Sequence, residues 1–311
     1  DDANRRQDIP PSLLGRGLTA QSPKTSTPSG ISIRNTLEIT DAPARALMIW
    51  NAGRIVSAVV CAHALLQLAG TLAIHQGASR IDASFGNSAY LAIYLLFNVC
   101  IAGWLALSES RPALKWALVA LAALEGLLIF FTGTRGAIVG LVGALVLAAG
   151  LTVLTAGKRA RSWAAAALIL IALVAGSFYL ARNSAFVQDT YVLERVASIS
   201  FDDLRVRFMI WGMAWEGFQE RPITGWGQEG FNYVFNTFYD PGLYGQEPWC
   251  DRAHNAFIDW LMAGGLPALL LFIALFGSAL WFLWSRSELS RPERIALTAA
   301  LAGYAIHNLV V

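Results

Sequence analysis

The sequence predicts an all-α membrane protein, a polytopic bundle of about seven transmembrane helices with one long outer loop that carries an amphipathic helix. Composition is the first observation behind this. Of 311 residues, 56% are hydrophobic and 14% charged, where ordinary globular proteins hold about 25% charged residues. Mean hydropathy is +0.50. The second observation is run length: several stretches of about 18 or more residues carry almost no charge, enough to cross roughly 30 Å of hydrocarbon as a helix. The third is that these runs are continuous rather than alternating. Only helices and closed barrels satisfy their backbones in lipid, and a barrel strand would alternate.

Residues 1–46, rich in Pro, Ser, Thr, Arg and Asp, lack a sustained apolar period and read as a polar, poorly ordered arm. Apolar runs follow at 47–74, 89–107, 113–131, 136–155 and 163–181, making a five-helix block over 47–181. Two more, at 256–284 and 295–311, occupy the region 255–311, and the outer loop fills 182–254. The chain opens on Asp1 without a signal-peptide pattern, and its last apolar run reaches Val311, so it reads as a piece of a longer or processed protein. Cys61 and Cys100 lie in apolar runs and Cys250 in the loop, so no disulfide framework is expected.

Orientation follows from Lys and Arg in short loops. Lys158, Arg159 and Arg161 share one connection, Arg286, Arg291 and Arg294 another, and Arg111 and Lys115 a third. The connections between them hold one arginine each, Arg80 and Arg135. Basic loops therefore alternate, which places the arm, Arg111, Lys158 and Arg291 in the cytoplasm. Arg80, Arg135 and the 182–254 loop fall outside.

That loop is too long to be a mere connection and too aromatic to be disordered. Leu204, Phe208, Trp211, Trp215 and Phe218 recur at helical spacing, and Ser200 with Asp203 suits a cap, so a helix is expected over 203–219, packed on the membrane surface or the bundle. Arg221-Pro222 stops it, and Gly225, Gly227 and Gly230 follow in a turn-rich stretch.

Three outward features carry possible chemistry. Arg135 stands in Thr132-Gly133-Thr134-Arg135-Gly136 between two spans. It reads either as an interfacial anchor or as a contact for an anion, and the glycines allow backbone and ligand to come close. Arg205 and Arg207 head the amphipathic helix, as a solvated face or, with Arg135 and Arg80, as a set of guanidinium forks suited to phosphate oxygens. Asp251-Arg252-Ala253-His254-Asn255 precedes the sixth span, so His254 is either structural or a proton acceptor at the mouth of the bundle. His63, His75 and His307 are isolated and read as structural. Glu125 and Asp259 sit in or near spans and need polar partners. No His, Cys or carboxylate spacing suits a metal. There is no P-loop, GxGxxG, serine elbow or DxD pair, so no nucleotide or other cofactor is expected.

The run from Arg207 through Trp211, then Glu220-Arg221-Pro222-Ile223-Thr224-Gly225-Trp226-Gly227, Asp251 through Trp260, and Gly264-Gly265-Leu266 resembles the O-antigen ligase and polymerase-related family of bacterial envelope proteins. The Thr132–Ala137 turn resembles that family's arginine turn. Phe85-Gly86-Asn87 resembles its glycine-asparagine motif, continued here by Ser88-Ala89 where the family often has Pro-Asn. The resemblance covers 80–311 and implies a multi-pass protein of the bacterial inner membrane with its long loop in the periplasm. Family members usually have further spans, expected before residue 47 and after Val311.

The implied activity is metal-independent, inverting glycosyl transfer from a glycan on undecaprenyl diphosphate. Implied acceptors are lipid A core, a glycan repeat or a protein. Membrane lipids would be the other partners, with no nucleic acid. Carried over by position, Arg135 and Arg207 would hold the diphosphate with Arg205 and Arg80 beside them, and His254 would be the base. Asp251, Arg252 and Asn255 would support it. The rival reading is a transporter or flippase of the same lipid without chemistry, which predicts polar residues around a midplane cavity and often internal repeats. No repeat is present, and the candidate residues gather at one face. A third reading is a structural envelope protein that uses the loop for docking.

Overall fold

The computed structural model describes residues 52–75, 80–198 and 201–309, with side chains throughout except at 201–203. The expected arm and the Ser200 and Asp203 cap side chains lie outside the described residues. Regular structure among the described residues is entirely helical. The helices are α1 (Ala52–Leu68), α2 (Ser88–Ser108), α3 (Pro112–Phe131), α4 (Arg135–Thr155) and α5 (Lys158–Ala181). The loop holds α6 (Ala185–Gln188), α7 (Tyr191–Ala197), α8 (Phe201–Glu220) and α9 (Phe231–Thr237), and α10 (Ala256–Ser285) and α11 (Arg291–Asn308) close the chain.

Each of the seven expected runs contains a helix among the described residues, and α2, α3, α4, α5 and α10 are long and apolar enough to cross a membrane. The chain is a multi-pass helical membrane protein. α1 stops at Leu68 instead of running to 74, because Gly70 takes left-handed backbone (φ +73°) and Gln67 turns onto the next loop. There the Gln67 amide donates to Ala73 O and Asp82 Oδ1 and accepts from the N–H groups of Asp82 and Ala83. α11 starts at Arg291 on a Ser290–Glu293 capping box, so its first turn is polar.

Small residues set the closest packing. α11 lies against α2 and α4. A β-carbon on Gly140 would stand 2.6 Å from Gly303 O, and one on Gly303 would stand 3.0 Å from the Ala144 β-carbon. Gly136, Gly140 and Ala144 follow one another at four-residue spacing along α4, which brings the two backbones together as small residues do between helices in lipid. Glu125 finds its partner in the Ser57 hydroxyl, which ties α3 to α1.

The helix ends sort as the charges predict. At one end Trp104 Nε1 and Ser108 Oγ donate to Glu293, at 3.1 and 2.7 Å, and Arg291 reaches Thr155 O. At the other lie Arg80, Arg135, the loop helices and His254.

Two expectations are sharpened. The helix expected over 203–219 spans 201–220, but its inward face is Ile210, Met213, Ala214 and Gly217, which meet Val234, Phe235 and Leu243 of the rest of the loop. Leu204, Phe208 and Trp215, taken from periodicity as one apolar face with Trp211, are exposed. The helix is apolar on two sides, and periodicity alone followed the outer one. The sixth span is also not one continuous helix. It breaks at Gly264 and Gly265, where φ is −142° and +65°.

Candidate functional site

Three local structures build the end of the bundle that carries the long loop, and each answers a backbone problem. The first is the turn between α3 and α4. Gly133 takes φ +60°, where an L side chain is disfavoured, and reverses the chain while its N–H bonds Phe130 O at 2.9 Å. The exposed carbonyls are met by arginines. Arg80 Nε donates to Thr132 O at 2.8 Å, and its Nη2 to Thr134 Oγ1 at 3.2 Å. Arg195 of α7 donates from Nε to Gly133 O at 2.7 Å. Arg135 opens α4 and turns outward to α7, with Nε on Arg195 O and Nη2 on Ser198 Oγ, both at 3.0 Å. Burial, and then the nearby Arg195 guanidinium, lower the proton affinity of Arg80 from the ordinary arginine range.

The second is the Asp251–Asn255 segment. Asn255 caps α10, its side-chain oxygen accepting from Phe257 N and Ile258 N at 3.0 and 3.4 Å. His254 therefore sits one residue before a cap, at φ +53°, an uncommon conformation for a residue with a β-carbon. Hydrogen bonds from two helices hold it there. Trp211 Nε1 donates to Ala253 O and Arg207 Nη1 to His254 O, both at 3.0 Å, while Asp259 Oδ1 accepts from Ala253 N at 2.8 Å. Burial pushes the neighbouring Cys250 thiol up to about 11, which keeps it protonated.

The third joins α8 to α10. The break at Gly264–Gly265 releases carbonyls, and the loop after α8 supplies donors: Trp226 N to Met262 O at 2.7 Å and Gly227 N to Ala263 O at 3.1 Å. Leu266 N donates back to Pro222 O at 2.8 Å. A β-carbon on Gly225 or Gly265 would fall 2.5 Å from a backbone oxygen of the other segment. The glycines of both sequence motifs are thus one interlock, which satisfies a broken membrane helix.

The first two structures, with α8, border an open cavity of about 510 Å³ lined by Arg135, Arg207 and His254, with Gly136, Gln246 and Glu247, and an apolar wall of Val139, Leu204, Val206 and Ile210. Residues far apart in sequence thus share one chamber. Two arginines and a histidine line it, residue types able to hold an anion and take up a proton.

The other predicted residues stand elsewhere. Arg205 is exposed on α8. Arg80 braces the Thr132–Thr134 turn, and Asn255 is committed to its cap. Asp251 and Arg252 line a smaller cavity, about 180 Å³, with Glu229, Asp259 and Trp260, and Arg252 pairs with Glu229 at 2.7 Å. Sequence reasoning missed Arg195, whose only signal was one more arginine in the outer loop. It also passed over Gln246 and Glu247, which lie in no motif. His307, read as structural, is buried where α11 meets α4, beside Gly140.

Residues 117–273 match the family described as O-antigen ligase. That span holds Arg135, Arg195, Arg207, His254 and the glycine interlock. An O-antigen ligase of Pseudomonas aeruginosa is 31% identical over 195 residues, 62% of this chain and 41% of the relative. The chain thus spans about two fifths of that relative's length. With half of its residues matching the family, including those around the cavity, the chain belongs to the O-antigen ligase family.

Proposed function

We propose that this protein transfers a glycan from undecaprenyl diphosphate to an acceptor hydroxyl, by direct and metal-independent inversion, at the periplasmic face of the inner membrane. The observation that carries the proposal is the shared cavity of Arg135, Arg207 and His254. In this reaction the acceptor oxygen attacks the anomeric carbon from the face opposite the diphosphate. The bond between that carbon and the diphosphate oxygen breaks, its electron pair leaves with the phosphate, and the acceptor proton passes to the His254 imidazole. Arg135 and Arg207 stabilise the charge that develops on the leaving group, which fixed donors do without reorganisation. The apolar wall suits the first isoprene units beside the diphosphate. Arg207 has a second role here, since its bond to His254 O ties phosphate binding to the position of the base. Arg80 shapes the turn, Arg205 adds positive field at the entrance, and Asn255 fixes the end of α10 next to the base. Asp251 and Arg252 support the same segment from its other side.

The test uses the full protein in proteoliposomes with lipid-linked glycan and, in separate arms, lipid A core, glycan repeats and a pilin-like protein. The expected result is transfer in one arm, lowered by His254→Ala about 10²- to 10⁴-fold, the usual scale of general-base catalysis. Movement of glycan between leaflets without a transferred product would overturn the enzyme reading in favour of a transporter. Undiminished transfer by His254→Ala would remove the base assignment alone.

A further inference from the structure

Arg195, in the short helix α7, is tied to the arginine turn in both directions. Its Nε donates to Gly133 O at 2.7 Å, and Arg135 Nε donates back to Arg195 O at 3.0 Å. Arg135 Nη2 also reaches Ser198 Oγ at 3.0 Å, and the Ser198 hydroxyl in turn bonds Arg195 O at 3.3 Å. Two nitrogens of Arg135 are thus oriented by the end of α7. The approach is close: a β-carbon on Gly133 would stand 3.1 Å from Arg195 Cδ and 3.3 Å from its Nε.

The bland account is that Arg195 caps the carbonyl end of α3, where a cation meets the negative end of the helix dipole. That accounts for the bond to Gly133 O. It leaves the return bond unexplained, and it is the return bond that directs the guanidinium lining the cavity. A cap alone also gives no reason to bring a second arginine up beside Arg80, because like charges in a half-buried place repel.

We propose that Arg195 is a positioning residue, which locks α7 onto the Gly133 turn so that Arg135 presents its guanidinium to the donor diphosphate in one fixed orientation. This rests on the reading of Arg135 as a diphosphate contact. A misplacement of about 1 Å in such a group is enough to lower a rate about 10²-fold.

The experiment measures transfer kinetics for the full protein in nanodiscs, varying lipid-linked donor and acceptor separately, for R195A, R195K, R135A and R135A/R195A, with thermal melts of each. R195A is expected to lose about ten- to hundredfold in kcat/KM for the donor while the acceptor KM stays put. R195K, which keeps a donor for Gly133 O, should recover part of this. The double variant should match R135A within about twofold, because a residue that acts through another adds nothing once that other is gone. Unchanged donor kinetics in R195A, alongside a clear loss in R135A, would overturn the positioning role alone. Multiplying losses in the double variant would do the same, by showing an independent action. Normal transfer by R135A would overturn both this proposal and the diphosphate reading. Should R195A melt early, Arg195→Gln retains the stem and a donor and carries the same comparison.

Discussion

The two walls of the cavity solve the same geometric problem in opposite ways. At the Arg135 turn the left-handed position is filled by Gly133, for which φ +60° carries no steric penalty, and Arg135 follows two residues later. At the other wall the left-handed residue is His254 itself, at φ +53°. That conformation costs about 1–2 kcal/mol for a residue with a β-carbon. Hydrogen bonds donated by Trp211 and Arg207 to the 253–254 carbonyls, and one accepted by Asp259 from Ala253 N, offset it. Strain held by the surroundings at a single side chain is a mark of a site where that side chain is needed. The turn, by contrast, is unstrained but crowded, with guanidinium groups on its carbonyls from two other segments.

Mirror-image substitutions test this contrast. The largest effect is expected from His254→Gly. Transfer should fall by about 10² or more, as for alanine, while stability should hold or rise by up to about 1 kcal/mol as the strain is relieved. A variant that loses activity and also unfolds would break the comparison. Gly133→Ala should act the other way, destabilising by about 1–2 kcal/mol because the backbone cannot relax and Arg195 must retreat. Chemical denaturation of the two variants in one detergent reads both signs. The smallest effect belongs to Arg252→Ala. Arg252 is two residues from His254, but its pairing with Glu229 is solvent-exposed and faces the smaller cavity. An exposed pair contributes about 0–1 kcal/mol, so stability should barely move and transfer should stay within about threefold on the same reasoning. A large loss of transfer would instead bring the smaller cavity into the reaction.

Much of the fold was legible because its determinants are local. Apolar run length, and the Arg221-Pro222 stop that ends α8 at Glu220, are read within a few turns of chain. The alternation of basic loops sorted the bundle ends, since each loop's charge is a property of that loop. Arg135, Arg207 and His254 were legible as candidates because arginines and a histidine at helix heads are chemically conspicuous. Less visible were features that exist only between segments. Nothing near Arg195 marks it until α7 meets the turn. The apolar positions of α8 fit two faces, and only the contact with Val234 and Phe235 selects the inner one. A glycine pair inside an apolar run reads as continuous helix until a second segment, 222–227, supplies the missing hydrogen bonds.

The sequence by itself determined that this chain crosses a membrane repeatedly as helices and groups Arg80, Arg135, Arg207 and His254 at one end, because hydrocarbon thickness and charge solvation act on each segment separately. Only the tertiary structure decided which of those residues share a chamber. Arg135, Arg207 and His254 line one cavity, while Arg80 braces a turn and Arg252 lines another. Which way a side chain points depends on the neighbours that fill the other directions, and those neighbours come from distant parts of the chain.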